Sequence, residues 1–239
     1  MHWMTKTMKT FLTPNHLLTA ALTAALFLTG AQSTEAKAAA KKAPKPAPAA
    51  PAPAPAPQVA APGPKPTTPP QAFVQSLYAR LNVLAKSAST LDALHGKIGD
   101  ELKVVVDYPE MAKLALGQKW AEISEAQRKE FVTHLTGMVL NTYVKRFKPG
   151  QSIEIHYGQA PRALPDDRVQ IPTTITVGKS SAEVHYSLRP NAGTWWVYDI
   201  VVDEASQVQT YRQSFKKILD KEGWPGLMTR MKKAAEKKV

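Results

Sequence analysis

The chain has 239 residues, a formal net charge of +12 and no cysteine. The absence of cysteine excludes disulfide bonds, thiolate metal sites and a lipobox cysteine. Residues 1–70 hold seven lysines and one acid, and residues 71–239 hold 24 basic and 18 acidic residues, so each part has a net charge of +6. Half of the excess charge therefore lies outside the part that the patterns below predict to fold, and the charge does not indicate nucleic-acid binding.

Residues 1–37 have the features of a secretory signal peptide. Lys6 and Lys9 precede an apolar run over residues 17–28, and small residues follow that run. The run is shorter than the ~20 residues that a bilayer-spanning helix needs, so a retained membrane anchor is the weaker alternative. We predict export to the periplasm with cleavage between residues 31 and 39.

Residues 38–70 consist mainly of alanine, proline and lysine, and they contain twelve of the twenty prolines. Such a composition favours extended polyproline II conformations without a packed core. We predict a disordered linker here, and a single folded domain over residues 71–239. A docking segment for a partner or for the cell wall is the alternative function of the linker.

The first half of the predicted domain has helical periodicity. Apolar residues recur every three or four positions over 73–84 and 91–105, which predicts two amphipathic helices. Asp107 is placed to cap a short third helix that Gly117 ends. Ser124 is placed to cap a long fourth helix that a Pro-Gly pair ends.

The period then changes from helical to two. Polar and apolar residues alternate over 153–157, 169–177 and 184–188, which predicts three strands. Residues 195–202 are apolar on both sides of the alternation except at Asp199, which predicts a strand covered on both faces. Short turn-rich separators indicate antiparallel hairpins.

The end of the chain returns to helical periodicity. A helix is predicted from about Val208 to Gly223, and a last short helix from Pro225. The fold class is therefore α+β, with N-terminal helices, an antiparallel meander sheet of about four strands, and C-terminal helices.

No residue pattern predicts a catalytic site, a metal site or a cofactor. The histidines lack metal-ligand spacing, and no phosphate-binding loop, dinucleotide fingerprint or G-x-S-x-G motif is present. His156 and His185 fall on the polar side of the strand alternation and are expected to face solvent. Asp199 lies among apolar residues, so a structural hydrogen bond or ion pair is favoured over catalysis, with Arg212 as a possible partner.

An ordered series of short segments carries a family resemblance. The segments are ALGQKW at 115–120, SEAQRKEF at 124–131 and WVYDIVV at 196–202, followed by Ser206, Tyr211, Arg212, Phe215 and the turn at 223–227. Together, over about residues 71–233, they resemble the MlaC family of periplasmic phospholipid-binding proteins. This family is also described as toluene-tolerance or ABC-transporter auxiliary proteins and includes hopanoid-associated relatives. The chain differs by having Glu204-Ala205 where the family commonly has Gly-Val.

The resemblance implies helices and a sheet that enclose an apolar cavity for acyl chains, with the headgroup near the mouth. It implies a monomeric shuttle that carries phospholipid between an outer-membrane lipoprotein complex and an inner-membrane ABC transporter. The basic residues over 230–238 are expected to contact membrane surfaces transiently. The lining candidates are Leu102, Val105, Met111, Leu114, Phe131, Leu135, Met138, Val139, Tyr143, Phe147, Ile155, Ile171, Ile175, Val184, Tyr186, Trp196, Tyr198, Ile200, Tyr211 and Phe215.

Three alternatives stay open at this point. A hopanoid or sterol-like cargo fits an apolar cavity as well, because such a cavity senses volume more than chemical class. An enzyme with Asp199 and a histidine at the cavity floor is the second alternative. The third is an adaptor in which the proline-rich linker acts and the domain has a solid core.

Overall fold

The structure is a computed structural model that describes residues 64–236. The helices are α1 (Pro70–Ser87), α2 (Leu91–Val105), α3 (Tyr108–Leu116), α4 (Lys119–Glu122), α5 (Glu125–Tyr143), a 3-10 turn (Val144–Arg146) and α6 (Gln207–Ala235). The strands are β1 (Ile153–His156), β2 (Arg162–Ala163), β3 (Val169–Val177), β4 (Ser180–Asn191), β5 (Thr194–Val202) and β6 (Ala205–Ser206). The predicted signal peptide and residues 38–63 of the predicted linker lie outside the described residues.

The helix ends follow the predicted capping pattern. The Asp107 side chain accepts a hydrogen bond from the Glu110 backbone N–H at 3.0 Å, which confirms the cap of α3. Ser124 and Gln127 form both halves of a capping box at the start of α5. Gly223 has φ 66° and ψ −170°, so α6 is broken where the sequence predicts one helix to end and another to begin.

The sheet has the order β1-β3-β4-β5-β6, with β2 also paired to β3, and each pairing is antiparallel. The α+β class is confirmed, but the sheet has more strands than the four predicted. The additional strands, β2 and β6, have two residues each. Two residues are too few for an alternating pattern to appear in the sequence.

One extra residue interrupts the pairing of β4 with β5. Ser187 lies opposite Asp199, but Leu188 lies opposite Val197, which leaves Tyr198 without a residue opposite it. This is a β-bulge, and it reverses which side chains of β5 face each side of the sheet. Before the bulge Val197 shares a face with Leu188, and after it Ile200 shares that face with Tyr186.

Two ion pairs attach α3 to the sheet. Arg189 binds the Asp107 carboxylate through two of its guanidinium nitrogens, and Asp107 is 2% exposed. Arg168 donates to Glu110 at 2.7 Å, and its guanidinium lies 4.7 Å from the centre of the Tyr198 ring. Because both acids are buried, these pairs fix the position of α3 more strongly than exposed pairs would.

The helices α5 and α6 pack against each other through aromatic side chains. The Phe131 ring meets the Phe215 ring edge-on with centres 5.5 Å apart, and it stacks on Trp224 at 5.9 Å. Phe131 is fully buried, and Phe215 is 3% exposed. These contacts form a solid core between the two helices.

The end of the predicted linker makes contacts with the domain. The Gly193 backbone N–H donates to the Pro64 carbonyl at 3.0 Å, and the Trp195 indole N–H donates to the Thr68 carbonyl at 2.7 Å. Residues 64–69, which the sequence assigns to the linker, therefore lie against the β4–β5 hairpin. No helix within residues 64–236 is long and apolar enough to cross a membrane.

Asp199 links β5 to the start of α6. Its carboxylate accepts hydrogen bonds from the Ser206 hydroxyl at 2.6 Å and from the backbone N–H groups of Ile200 and Val208 at 2.8 and 3.0 Å. The structural hydrogen bonding that the sequence favours is therefore present. The proposed partner Arg212 is wrong, because its guanidinium lies instead against Gly117.

Gly117 adopts a backbone conformation that other residues avoid, with φ 58° and ψ −128°. A Cβ at this position would lie 3.1 Å from the Nη2 atom of Arg212. The turn after α3 therefore favours glycine, and a Cβ would also require the exposed Arg212 side chain to shift.

We expect Gly117→Ala to lower the free energy of unfolding by about 1–3 kcal/mol, through backbone strain and crowding against Arg212. Urea denaturation followed by circular dichroism measures this change. Gly96→Ala is the matched control, because a Cβ at this exposed helical position meets no atom within 4 Å. The control should be neutral or stabilising by up to about 1 kcal/mol. Equal stabilities of the two variants would contradict the prediction.

We expect Asp199→Ala to lower the free energy of unfolding by about 2–4 kcal/mol, because it leaves buried N–H groups without an acceptor. Asp199→Asn should cost less, since its carbonyl oxygen keeps the two backbone hydrogen bonds. Urea denaturation of both variants at neutral pH makes the comparison. If Asn destabilises as much as Ala, the carboxylate acts mainly through its charge.

The stability of the wild type relative to Asp199→Asn should also depend on pH. Burial raises the pKa of the Asp199 carboxyl above its ordinary value, against the lowering effect of its hydrogen bonds. Such a group stabilises most when protonated, below its unfolded-state pKa, and this advantage is lost as the pH rises through the folded-state pKa. The free energy of unfolding, wild type minus Asn variant, should therefore fall as the pH rises from below the ordinary carboxyl pKa through the raised pKa of the folded state. A difference in the free energy of unfolding that stays constant or rises with pH would contradict this prediction.

Candidate functional site

An apolar cavity of about 160 Å³ lies between one face of the sheet and the helices α1 and α2. We call this the main cavity, and the face that lines it the inner face. The helices contribute Leu77, Tyr78, Leu81, Leu102, Val105 and Tyr143, and the sheet contributes Ile153, Ile175, Val177, Val184, Tyr186, Val197, Ile200 and Val202. Val106, the extended residue that follows α2, also lines the cavity. Arg146, Phe147 and Gln151 complete the lining.

Arg146 and Gln151 are the charged and amide residues of the lining, and both are half-buried. Gln151 lies two residues before Ile153, which pairs with Val177 beside the exposed turn at Gly178 between β3 and β4. We take this partly exposed end as the mouth of the main cavity. The opposite end of the lining is apolar apart from tyrosine hydroxyls. The cavity therefore has one polar end and one apolar end.

A second cavity of about 40 Å³ adjoins the first and is called the inner cavity here. Leu102, Val106, Tyr143, Val197 and Ile200 line both cavities, so their side chains form the wall between the two. The remaining lining comes from Met111, Val139, Gln207 and Tyr211. Because the wall consists of side chains, a change of rotamers at these positions can join the two spaces.

The predicted lining residues fall into two groups. Those that line one or both cavities are Leu102, Val105, Met111, Val139, Tyr143, Phe147, Ile175, Val184, Tyr186, Ile200 and Tyr211. Those that line neither are Leu114, Phe131, Leu135, Met138, Ile155, Ile171, Trp196, Tyr198 and Phe215. The structure thus brings the first group together around one apolar space and leaves the second outside it.

The bulge explains why Trp196 and Tyr198 of β5 line neither cavity. An uninterrupted alternation groups Trp196, Tyr198 and Ile200 on one face, as the sequence predicts. In the structure the inner face carries Val197, Ile200 and Val202, while Tyr198 packs under Arg168. Trp196 lies opposite Arg189, away from the cavity face. No feature of the sequence alone marks the bulge.

The second group also contains residues that are buried for other reasons. Phe131 and Phe215 belong to the core between α5 and α6, and Leu135 is fully buried on the same helix. Only the last turns of α5 reach the cavities, through Val139 and Tyr143. Ile155 and Ile171 lie on the inner face, and Leu114 and Met138 pack on the core, beyond the cavities. Periodicity marked these residues as buried but could not distinguish a core from a cavity wall.

Helix α1 is the main element that the prediction of lining residues missed. Leu77, Tyr78 and Leu81 line the main cavity, and Leu77 and Leu81 stood on the apolar stripe visible in the sequence. The Asn82 side chain holds α1 to β1 by pairing with both backbone groups of Ile153, at 2.7 and 2.8 Å. The sequence therefore contained a signal for α1 as a buried helix, but none for its place over the cavity.

A pair of tyrosines contributes two of the polar groups inside the main cavity. The hydroxyls of Tyr78 and Tyr186 are hydrogen-bonded to each other across the space between α1 and β4. Burial raises the pKa of Tyr78 to about 12 and raises that of Tyr186 well above its ordinary value. Both hydroxyls therefore stay neutral at physiological pH, and they satisfy each other without adding charge to the cavity.

The histidines of residues 64–236 do not form a site. His156 is exposed and lies 3.6 Å from Glu154, as expected for a solvent-facing residue, whereas His185 is half-buried. The Nε2 atom of His95 lies 3.2 Å from the Phe147 carbonyl oxygen, and His95 makes no hydrogen bond to a side chain of the described residues. Among residues 64–236, no group of three histidines, aspartates or glutamates is arranged to hold a metal ion.

The comparisons with known proteins agree with this architecture. The structure matches that of a phospholipid-binding protein from Ralstonia solanacearum, solved in complex with a phospholipid, with a TM-score of 0.56 and 18% sequence identity. The match covers 69% of this chain and 93% of that chain, and at this identity it shows a common fold. The sequence model described as MlaC protein matches residues 71–233, and the chain therefore belongs to the MlaC family.

Proposed function

We propose that the protein binds a phospholipid with its acyl chains in the main and inner cavities. The observation that carries this proposal is the apolar space on the inner face of the sheet, which has a polar mouth. The fold is shared with a protein that was solved with a phospholipid bound. Membership of the MlaC family supports the same ligand class.

The energetics favour acyl chains as the buried part of the ligand. Each CH₂ group that leaves water contributes about 0.8 kcal/mol, so a chain of ordinary length outweighs any single headgroup contact. Leu102, Val106 and Ile200 offer only apolar atoms on the wall between the cavities. Two chains need more room than the main and inner cavities have in this state, so binding requires the two spaces to widen as well as to join. Met111, which lines the inner cavity, is an adaptable side chain that can yield to a chain entering it.

The proposed role is transport rather than storage of the lipid. A periplasmic carrier takes lipid at one membrane and releases it at another, here an outer-membrane lipoprotein complex and an inner-membrane ABC transporter. The predicted signal peptide and the MlaC family membership support this role. The basic residues of the C-terminal tail, including Lys232 and Lys233, support brief contact with anionic membrane surfaces.

The enzyme alternative has weaker support from the geometry. Both oxygens of the Asp199 carboxylate accept hydrogen bonds from groups of the protein itself. Within the described part of the chain, no histidine lines either cavity. An acid or base at the cavity floor would need a free oxygen and a proton-transfer partner within reach.

We expect the full chain, purified from a bacterial host, to carry phospholipid at about one per protein, as seen by native mass spectrometry and lipid extraction. Ile200→Trp should lower this occupancy at least about tenfold, because the larger side chain fills the wall that both cavities share. Val201→Trp is the matched control. Val201 is the next residue of β5, lies opposite His185 and lines neither cavity.

The two variants separate the cavity from the rest of the sheet. If Val201→Trp loses lipid as Ile200→Trp does, the loss reports damage to β5 and not a filled cavity. A wild-type protein without lipid that also fails to take up added phospholipid would overturn phospholipid binding itself.

Transport is tested by transfer of a fluorescent phospholipid between donor and acceptor vesicles. We expect the protein to raise the transfer rate in proportion to its concentration, and Ile200→Trp to abolish most of the increase. A protein that binds phospholipid stoichiometrically but leaves the rate unchanged would contradict the shuttle role while leaving lipid binding intact.

A further inference from the structure

We propose that Arg146 binds the phosphate of the lipid headgroup at the mouth of the main cavity. This inference rests on the proposed phospholipid binding and adds a specific anionic contact to it. Its ligand chemistry is a phosphate diester whose acyl chains occupy the apolar space behind the arginine.

The local structure directs Arg146 toward the cavity. It is the last residue of the 3-10 turn Val144–Arg146, in which Val144 is buried and Lys145 is exposed. Arg146 lines the main cavity, and its guanidinium carbon lies 5.1 Å from the centre of the Tyr143 ring. Tyr143 lines both cavities, so the ring on which the guanidinium lies is itself part of the apolar wall.

Arg146 differs from the other half-buried arginines of residues 64–236 in having no oxygen partner. Arg168, Arg189 and Arg230 each bind a carboxylate. Arg128 donates to the Trp120 carbonyl at 3.0 Å. In this part of the chain, the Arg146 guanidinium makes no hydrogen bond and has no carboxylate within 4.0 Å, although it is half-buried. Its donors are thus available to a ligand.

A half-buried cation beside an apolar cavity is stabilised when an anion reaches it. A guanidinium presents its N–H donors in a planar fork that matches two oxygens of a phosphate. In a partly desolvated position this interaction is stronger than at an open surface. The phosphate of a lipid whose chains fill the cavity can meet this fork because Arg146 lies where the lining becomes polar.

The neighbouring residues supply a second donor and a positive field. Gln151 lines the same mouth, and its Oε1 atom accepts from the Lys148 backbone N–H at 2.8 Å. This orientation leaves the amide NH₂ of Gln151 for a ligand. Lys148 is exposed on the same segment and adds positive potential around the mouth.

The test compares a lipid that has a phosphate with one that lacks it. Soluble dioctanoyl phosphatidylcholine and dioctanoylglycerol are titrated into delipidated full-length protein, and tryptophan fluorescence or calorimetry gives each dissociation constant. We expect Arg146→Gln to weaken phosphatidylcholine binding about tenfold and to leave dioctanoylglycerol binding unchanged. Arg146→Lys keeps the charge but loses the fork, and should weaken phosphatidylcholine binding severalfold.

Lys145→Gln is the matched control, because it removes the same charge from the adjacent exposed residue. It should leave both dissociation constants within about twofold of the wild type. Thermal unfolding of every variant identifies any that fails to fold, and in that case Arg146→Lys provides the comparison.

Each other outcome overturns the proposal. An equal loss of both lipids in Arg146→Gln shows that Arg146 only shapes the cavity, and no loss of either shows that it does not touch the headgroup. If inorganic phosphate alone at micromolar concentration removes the preference for phosphatidylcholine, the site holds the free ion. If the wild type binds neither lipid, the proposed function fails together with the role of Arg146. That result is distinguishable from binding of both lipids without preference, which overturns only the role of Arg146.

Discussion

The bulge at Tyr198 is the constraint on which the cavity depends. Without the extra residue, the face that carries Val197 would also carry Asp199, and a carboxylate would point into the apolar space. With it, Ile200 follows Val197 on the inner face, and Asp199 turns to the start of α6. One inserted residue thus keeps the lining apolar and supplies the acceptor that joins sheet and helix.

Helix α1 covers the sheet without filling the space beneath it. Polar contacts tie it down at separate points: Asn82 pairs with the backbone of Ile153, and Tyr78 bonds Tyr186. A third tie runs from the Gly150 backbone N–H to the Ala85 carbonyl at 2.8 Å. These hydrogen bonds at its margins hold helix α1 in place. The space beneath it can therefore stay less than fully packed, at a smaller cost in folding stability than if side-chain packing alone held the helix.

Sequence reasoning predicted the local structure well because its signals are local. The caps at Asp107 and Ser124, the break at Gly223 and the change of period near Ile153 each depend on residues close in the chain. The α+β order follows from these elements. The faces of β1, β3 and β4 were also readable, because their alternation is uninterrupted.

The site was predicted less completely because a cavity is a property of several elements at once. Apolar periodicity shows that Phe131 and Val139 are both buried, but not that one meets Phe215 and the other an open space. The bulge depends on pairing between strands, and Arg146 is notable only for the partners it lacks. Both facts need three-dimensional neighbours, which a single sequence does not contain.

The position of residues 64–69 has a consequence for how the domain is oriented. The strand β4 runs from Ser180, beside Val177 at the mouth, to Asn191 at the hairpin where Pro64 is bound. At about 3.3 Å per residue, its twelve residues separate these two ends by about 36 Å. The chain that precedes Pro64 therefore joins the domain at the pole opposite the mouth. A pull on that chain would therefore turn the mouth away from the point to which the chain is attached.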